Sequence, residues 1–200
     1  MTTILQNLWS LALESVQTPR VAARKVLELP ATRGQAWGAF VAMILLSVVL
    51  TGIGQILFPV PPEQVLAFLQ MSPFQAVGLL GGITLALIMA IVSIGRLMGG
   101  QGDMDGGLRL FAWMQAILIA LQVVQLLLVP VMAILAALLG LVSIALFIWL
   151  LLNFVAELHK FDGIGQAIVV TVLSFVLTTF VLISLISQLG LLPVMEAPNV

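Results

Sequence analysis

The chain has no cysteine and no tyrosine, a single histidine, and charged residues at only 8% of its positions. Without cysteine it can form no disulfide, thiolate metal site, cysteine nucleophile or S-acylated anchor. The lone His159 has no second imidazole with which to share a metal. It stands beside Lys160 at the end of a hydrophobic stretch, where a cation suits the C-terminal dipole of a helix. Neither H-E-x-x-H nor G-x-S-x-G occurs. No catalytic residue, cofactor site or metal ligand is therefore assigned, and a non-enzymatic protein is expected. Net charge is −1 and no segment is strongly basic overall, so nucleic acid is not an expected partner.

What the chain does have is apolar sequence. Hydrophobic residues make up 62% of it and the mean hydropathy is +1.26. A soluble domain carries about 25% charged residues. A water-soluble core cannot absorb this much apolar surface, so lipid must be the solvent. The few cations are placed unevenly. Arg20, Arg24, Lys25 and Arg33 precede the first long apolar stretch, Arg96 and Arg109 lie between the second and third, and Lys160 lies between the fourth and fifth. Lys and Arg are retained on the cytoplasmic side of a membrane. An all-α, polytopic protein with five transmembrane helices is expected, its N-terminus in the cytoplasm and its C-terminus outside. The first 16 residues hold no Lys or Arg, and polar residues interrupt their apolar run, so no signal peptide is evident. The first span is expected to act as its own insertion signal.

Residues 1–30 are expected to form cytoplasmic interfacial helices, 31–190 a five-span membrane domain, and 191–200 a poorly ordered outer tail. In residues 3–16, Ile4, Leu5, Leu8, Trp9, Ala12 and Val16 recur at helical spacing opposite Gln6, Asn7, Ser10 and Glu14. Thr18-Pro19 restarts a second short helix that carries Arg20, Arg24 and Lys25 and stops at Pro30. Trp9 and these three cations are the candidate contacts to lipid headgroups or a partner. The alternative is that the segment packs on the protein's own cytoplasmic loops.

Thr32-x-x-Gln35 and Ser72-Pro73-x-Gln75 both read as capping boxes. The spans are placed at about 33–57, 74–97, 109–129, 131–155 and 164–189, with a short outer helix opening at Pro62-Glu63. No Asp, Glu, Lys or Arg lies between Arg109 and Glu157. One helix of that length would be roughly 70 Å long, over twice the hydrocarbon thickness. It must fold back, and Pro130 is the natural break. Asp162 or Gly163 is expected to cap the fifth span.

No charge sits at an expected midplane, where proton relays and ion paths usually place one. Uncharged polar stripes remain: Ser47, Thr51 and Gln55; Gln115, Gln122 and Gln125; Thr171, Ser174 and Thr178; and Asn153 with Glu157. Interhelical hydrogen bonding and small-residue packing account for such stripes, with G-x-x-x-G pairs at Gly78/Gly82 and Gly95/Gly99 and a like pair at Ala136/Gly140. Hydroxyls can also bond their own helix carbonyls. A polar path between helices is the other reading. The three glutamines press it hardest, because an amide facing lipid is costly.

The densest local signal is G-R-L-M-G-G-Q-G-D-M-D-G-G-L-R-L-F-A-W-M-Q, residues 95–115. Gly99, Gly100, Gly102, Asp103 and Asp105 crowd one cytoplasmic turn. A phosphate loop would need Lys-Ser/Thr at the next helix, and a calcium loop a third acidic position and a distal Glu. A structural turn needs glycines for positive φ and an Asp cap, both present. The turn is the reading adopted, with calcium or phosphate binding as the alternatives.

This segment resembles the bacterial branch of the Yip (Ypt/Rab-interacting, Yip-one domain) membrane proteins, which carry a G-G-x-G loop after span two and then an A-W/Y-x-Q-like helix. Q-T-P-R-V-A-A-R-K-V-L at 17–27 and W-L-L-L-N-F-V-A-E-L-H-K-F-D-G-I-G-Q-A-I at 149–168 resemble the family's lead-in and its span-four-to-five passage. The resemblance covers residues 17–187. It implies five spans with the N-terminus inside, in the bacterial inner membrane. Eukaryotic members interact with small GTPases. The acidic D-L-Y-G-P motif of those members is missing here, so GTPase binding is not carried over. The expected function is interaction with membrane lipids and with another membrane protein or a second copy. A small transporter or permease component with a polar intramembrane path is the alternative, and lipid movement along a polar groove a third.

Overall fold

The computed structural model describes residues 2–59 and 72–188, apart from the side chains of residues 2–5, 185 and 186. The short helix expected after Pro62 and the tail at 191–200 lie outside the described residues. Those described form only helices and their connections: α1 Thr2–Gln17, α2 Pro19–Glu28, α3 Arg33–Leu57, α4 Pro73–Leu97, α5 Met104–Leu128, α6 Ala133–His159 and α7 Ile164–Gln188. Five of them, α3 to α7, are long and apolar enough to cross a bilayer. The protein is a multi-pass membrane protein.

Local chemistry sets most helix ends. Thr32 and Ser72 each accept from the backbone N–H of the Gln three residues on, and each Gln side chain accepts from the cap's own N–H, closing both capping boxes. α5 starts at Met104 rather than near 109, because Asp103 Oδ1 accepts from the Gly106 N–H at 2.8 Å. Gly106 and Gly107 weaken a helix by about 1 kcal/mol each. They are nevertheless helical and buried: a Cβ at Gly106 would press on Leu158 and Leu27, and one at Gly107 on Ile88. Packing overrides propensity there. The fold-back falls at Pro130 as the residues require, with α5 ending at Leu128, α6 starting at Ala133 and Met132 N–H bonding Leu128 O. α6 runs to His159, past the expected 155. α7 starts at Ile164, directly after Gly163, one of the two expected cap positions, and the backbone carbonyl of Asp162 accepts from Arg20.

α5 lies between α3 and α6, α4 packs on α7 and reaches α3, and α2 lies across α6 and α5 with α1 beside it. Buried positions concentrate at one end: 36–48 in α3, 87–95 in α4, 106–119 in α5, 150–159 in α6 and 167–178 in α7. Ala136 is the exception in α6. At the opposite end Ile56, Leu127, Ile134 and Leu141 are exposed, as lipid-facing residues would be. The packed end carries α1, α2, all seven cations and six of the eight carboxylates. It is called the charged end below. Among the described residues a Cβ at Gly78 or Gly82 would meet nothing within 4 Å, so these two do not show the close approach of the G-x-x-x-G expectation.

Candidate functional site

The glycine loop is built around His159. α4 ends in a Schellman motif: Gly99, at φ 85°, donates to Arg96 O, and Gly100 N–H donates to Gly95 O at 2.8 Å. α6 ends in the same way, with Phe161 N–H on Ala156 O and Lys160 in the left-handed region at φ 55°. The two ends then dock. Gln101 N–H donates to His159 O, and Gly102 N–H to His159 Nδ1, each at 3.2 Å. His159 is 1% exposed and its ring stacks on Phe161 with centroids 5.2 Å apart. A Cβ at Gly95, Gly100 or Gly102 would overlap the His159 side chain. Of these loop glycines only Gly99 needs its conformational freedom; the others are small so that an imidazole can fit. Because Nδ1 accepts from Gly102, the neutral ring has its proton on Nε2, which is buried without a partner among the described residues. This replaces the expected cation at the helix dipole. The signal in the sequence was a lone histidine 57 residues from a glycine cluster, which spacing alone cannot join.

This geometry also bears on ligand binding by the loop. The N–H groups of Gly99, Gly100, Gln101, Gly102, Gly106 and Gly107 all have acceptors inside the protein. Those donors are therefore not free to cradle a phosphate. The two carboxylates diverge, Asp103 to the α5 cap and Asp105 to Arg33 at 3.1 Å. No metal-holding group of three acidic or histidine residues occurs among the described residues.

The cations set as topology markers also staple the charged end. Arg109 donates to the carbonyls of Leu27, Leu29 and Ala31, holding the α2–α3 connection. Arg20 donates to the carbonyls of Phe161 and Asp162, and Arg96 to Gly102 O at 2.7 Å. Arg24 pairs with Glu157 at 2.8 Å and Lys25 with Glu14 at 2.7 Å. Arg20, Arg24 and Lys25 were the headgroup candidates; the structure turns each toward a partner within the chain. Ala22, Ala23 and Val26 of α2 are buried, so α2 is a packed part of the domain.

α1 is different. Trp113 Nε1 donates to Ser15 Oγ at 2.9 Å and Trp149 Nε1 to Val16 O, which fixes the C-terminal part of α1 to α5 and α6. Yet Leu8, Trp9, Leu13 and Val16 face outward, Trp9 at 67% exposure. All four tryptophans of the chain, Trp9, Trp37, Trp113 and Trp149, belong to the half of the molecule at the charged end. Tryptophan is enriched at membrane–water boundaries. Between α1, the α2–α3 connection, α3 and α5 runs an apolar groove of about 350 Å³ whose walls include Leu8, Val26, Ala39, Met43 and Ala116, with Gln35 and Arg109 at its polar part.

The intramembrane glutamines do not form one path. Gln122 Nε2 donates to Thr51 Oγ1 at 3.2 Å, and Thr51 in turn back-bonds to Ser47 O. Gln125 packs its amide against Gly140, where a Cβ would sit 3.0 Å from Nε2. Gln122 and Gln125 share with Ser143 an open cleft of about 350 Å³ between α5 and α6; Gln115 is not part of it. On α7, Thr171, Ser174 and Thr178 are buried with unpartnered hydroxyls, whereas Thr51, Ser143 and Ser184 bond their own helix carbonyls.

Searches of curated proteins and of solved structures found no match. The family model of the Yip1 domain matches residues 13–186, from the end of α1 that is tied to Trp113 and Trp149 through α7. It takes in all five membrane-spanning helices, the glycine loop and the His159 socket, and the chain belongs to the Yip1 domain family.

Proposed function

We propose that this is a non-enzymatic protein of the bacterial inner membrane that acts through contacts made at its charged end, with lipids and with another membrane protein or a second copy. All seven Lys and Arg residues lie at that end, so it faces the cytoplasm, with the N-terminus inside and the C-terminus in the periplasm. The observation that carries the reading is α1: pinned to the bundle through Ser15 and Val16, it still turns Leu8, Trp9, Leu13 and Val16 outward. An apolar helix face held rigidly at a boundary rich in tryptophan suits insertion into the headgroup region. The seven cations against six carboxylates at this end argue for apolar and local contacts rather than a broad basic patch.

The absence of cysteine makes the test direct. Gln101→Cys should be labelled by an impermeant thiol reagent only from the cytoplasmic side and Met132→Cys only from the periplasmic side; the reverse pattern refutes the orientation. In mild detergent, lipids and proteins that co-purify with the wild type should be lost when Leu8, Trp9 and Leu13 are changed together to Gln, with labelling unchanged. Retention of the same set would refute the role of α1.

A transporter role is the second reading, favoured by the cleft that Gln122, Gln125 and Ser143 line. The bond from Gln122 to Thr51 and the seat of Gln125 on Gly140 weigh toward helix packing.

A further inference from the structure

We propose that the groove between α1, α3 and α5 is a phospholipid site, with one acyl chain along the groove and the phosphodiester held at Arg109 and the side-chain amide of Gln35. The inference deepens the reading that the charged end works at the lipid interface, and rests on it.

The groove is amphipathic in the sense a phospholipid requires. Arg109 is the one charged residue among those that line it. Among the described residues it pairs with no carboxylate; its partners are three backbone carbonyls, and its Nε has none. Carbonyl dipoles orient a guanidinium but leave its charge in place. An anion at this point would neutralise it, and a guanidinium suits a phosphate's oxygens. Gln35 adds to this. Its Oε1 is occupied by the backbone N–H and hydroxyl of Thr32, so the part of the amide left over is the NH2 donor. Two groups that can offer only donors thus line the same groove.

Below them the wall turns to small residues, Ala36 and Ala39 of α3 and Ala112 and Ala116 of α5, ending at Met43. From Gln35 to Met43 a helix rises roughly 12 Å, most of the ~15 Å that one leaflet contributes to the hydrocarbon core. The volume, about 350 Å³, is in the range of small-ligand sites. Water would find too few polar partners over most of this length. An acyl chain, the solvent of this end of the bundle in any case, needs none.

The experiment uses the full chain, purified in mild detergent and read by native mass spectrometry. The probes are 1-palmitoyl-2-oleoyl-phosphatidylglycerol, diacylglycerol with the same chains, and inorganic phosphate. Wild type should retain one phosphatidylglycerol, hold diacylglycerol at least about tenfold more weakly, and not bind phosphate alone. Filling the groove with Ala39→Leu and Ala116→Leu should reduce phospholipid retention about tenfold or more. Gln35→Glu keeps the capping box, since Glu serves there as Gln does. It places a carboxylate where the phosphate would sit and should also reduce retention, which decides the matter if the double leucine variant fails to fold. Equal retention of the two lipids, retention undiminished in Gln35→Glu, or a second copy of the chain bound in place of lipid would each overturn the proposal. Bromolipid quenching of the Trp9 component of the fluorescence, taken as the difference between wild type and Trp9→Phe, tests the broader reading separately. Quenching with no retained lipid would sink the groove alone and leave that reading standing. Absence of quenching would remove the interface on which the groove proposal rests.

Discussion

Replacing Gly95 by alanine sets two effects of opposite sign against each other. Gly95 is inside α4, so alanine should favour the helix by about 1 kcal/mol. But the added Cβ would overlap Cε1, Nε2 and Cδ2 of His159 at once. The ring cannot swing aside. It is 1% exposed, stacked on Phe161, and held at Nδ1 by Gly102 and at its carbonyl by Gln101. Overpacking costs about 1–3 kcal/mol, and losing the Gly102 bond would strand a buried N–H at about 1–3 kcal/mol more. The net expectation is a destabilisation of roughly 1–5 kcal/mol, measured by reversible SDS titration of the protein in mixed micelles. The same substitution at Gly82, in the same helix with nothing near its Cβ, should be neutral or stabilising by up to ~1 kcal/mol. His159→Ala removes the obstacle, so in that background Gly95→Ala should change sign and stabilise. A Gly95→Ala protein as stable as wild type, or one whose loss is unchanged in the His159→Ala background, would refute the socket.

Two further outcomes follow from the same geometry. Lys160→Gly relieves a non-glycine residue at φ 55° in the α6 cap and should stabilise the fold by about 1 kcal/mol in the same titration; a loss of stability would contradict the assigned cap. Ser15→Ala leaves Trp113 Nε1 without its acceptor at a buried contact. It should loosen α1 by about 1–3 kcal/mol, seen as faster proteolysis ahead of Pro19 with the five spans intact, and unaltered proteolysis would refute the anchoring.

Much of this architecture is legible along the chain because it depends on local chemistry and on lipid as solvent. Long apolar runs have to be helices in a bilayer, since every backbone polar group must be satisfied within the segment. Thr32, Ser72 and Pro130 mark ends through bonds reaching only three or four residues. The start of α5 was less legible: Gly106 and Gly107 look like loop until Leu158 and Ile88 are known to need them small. The cations illustrate the same boundary. Their positions along the sequence indicate which side each connection occupies, but not that Arg109 clamps the carbonyls of residues 27–31 or that Arg20 grips the α6–α7 connection.

The sequence by itself determined that five helices cross the membrane, where most of them begin and end, and which end carries the charge, because each of these follows from hydropathy, short-range capping and the placement of Lys and Arg. Only the tertiary structure decided what the glycine loop is for. His159 and the loop that houses it are separated by about sixty residues, and the fit between an imidazole and three missing Cβ atoms is a matter of distance in space. The groove is of the same kind. Its alanines, its amide and its arginine come from helices that meet only when the bundle packs, so neither its shape nor its uncompensated charge has a local signature.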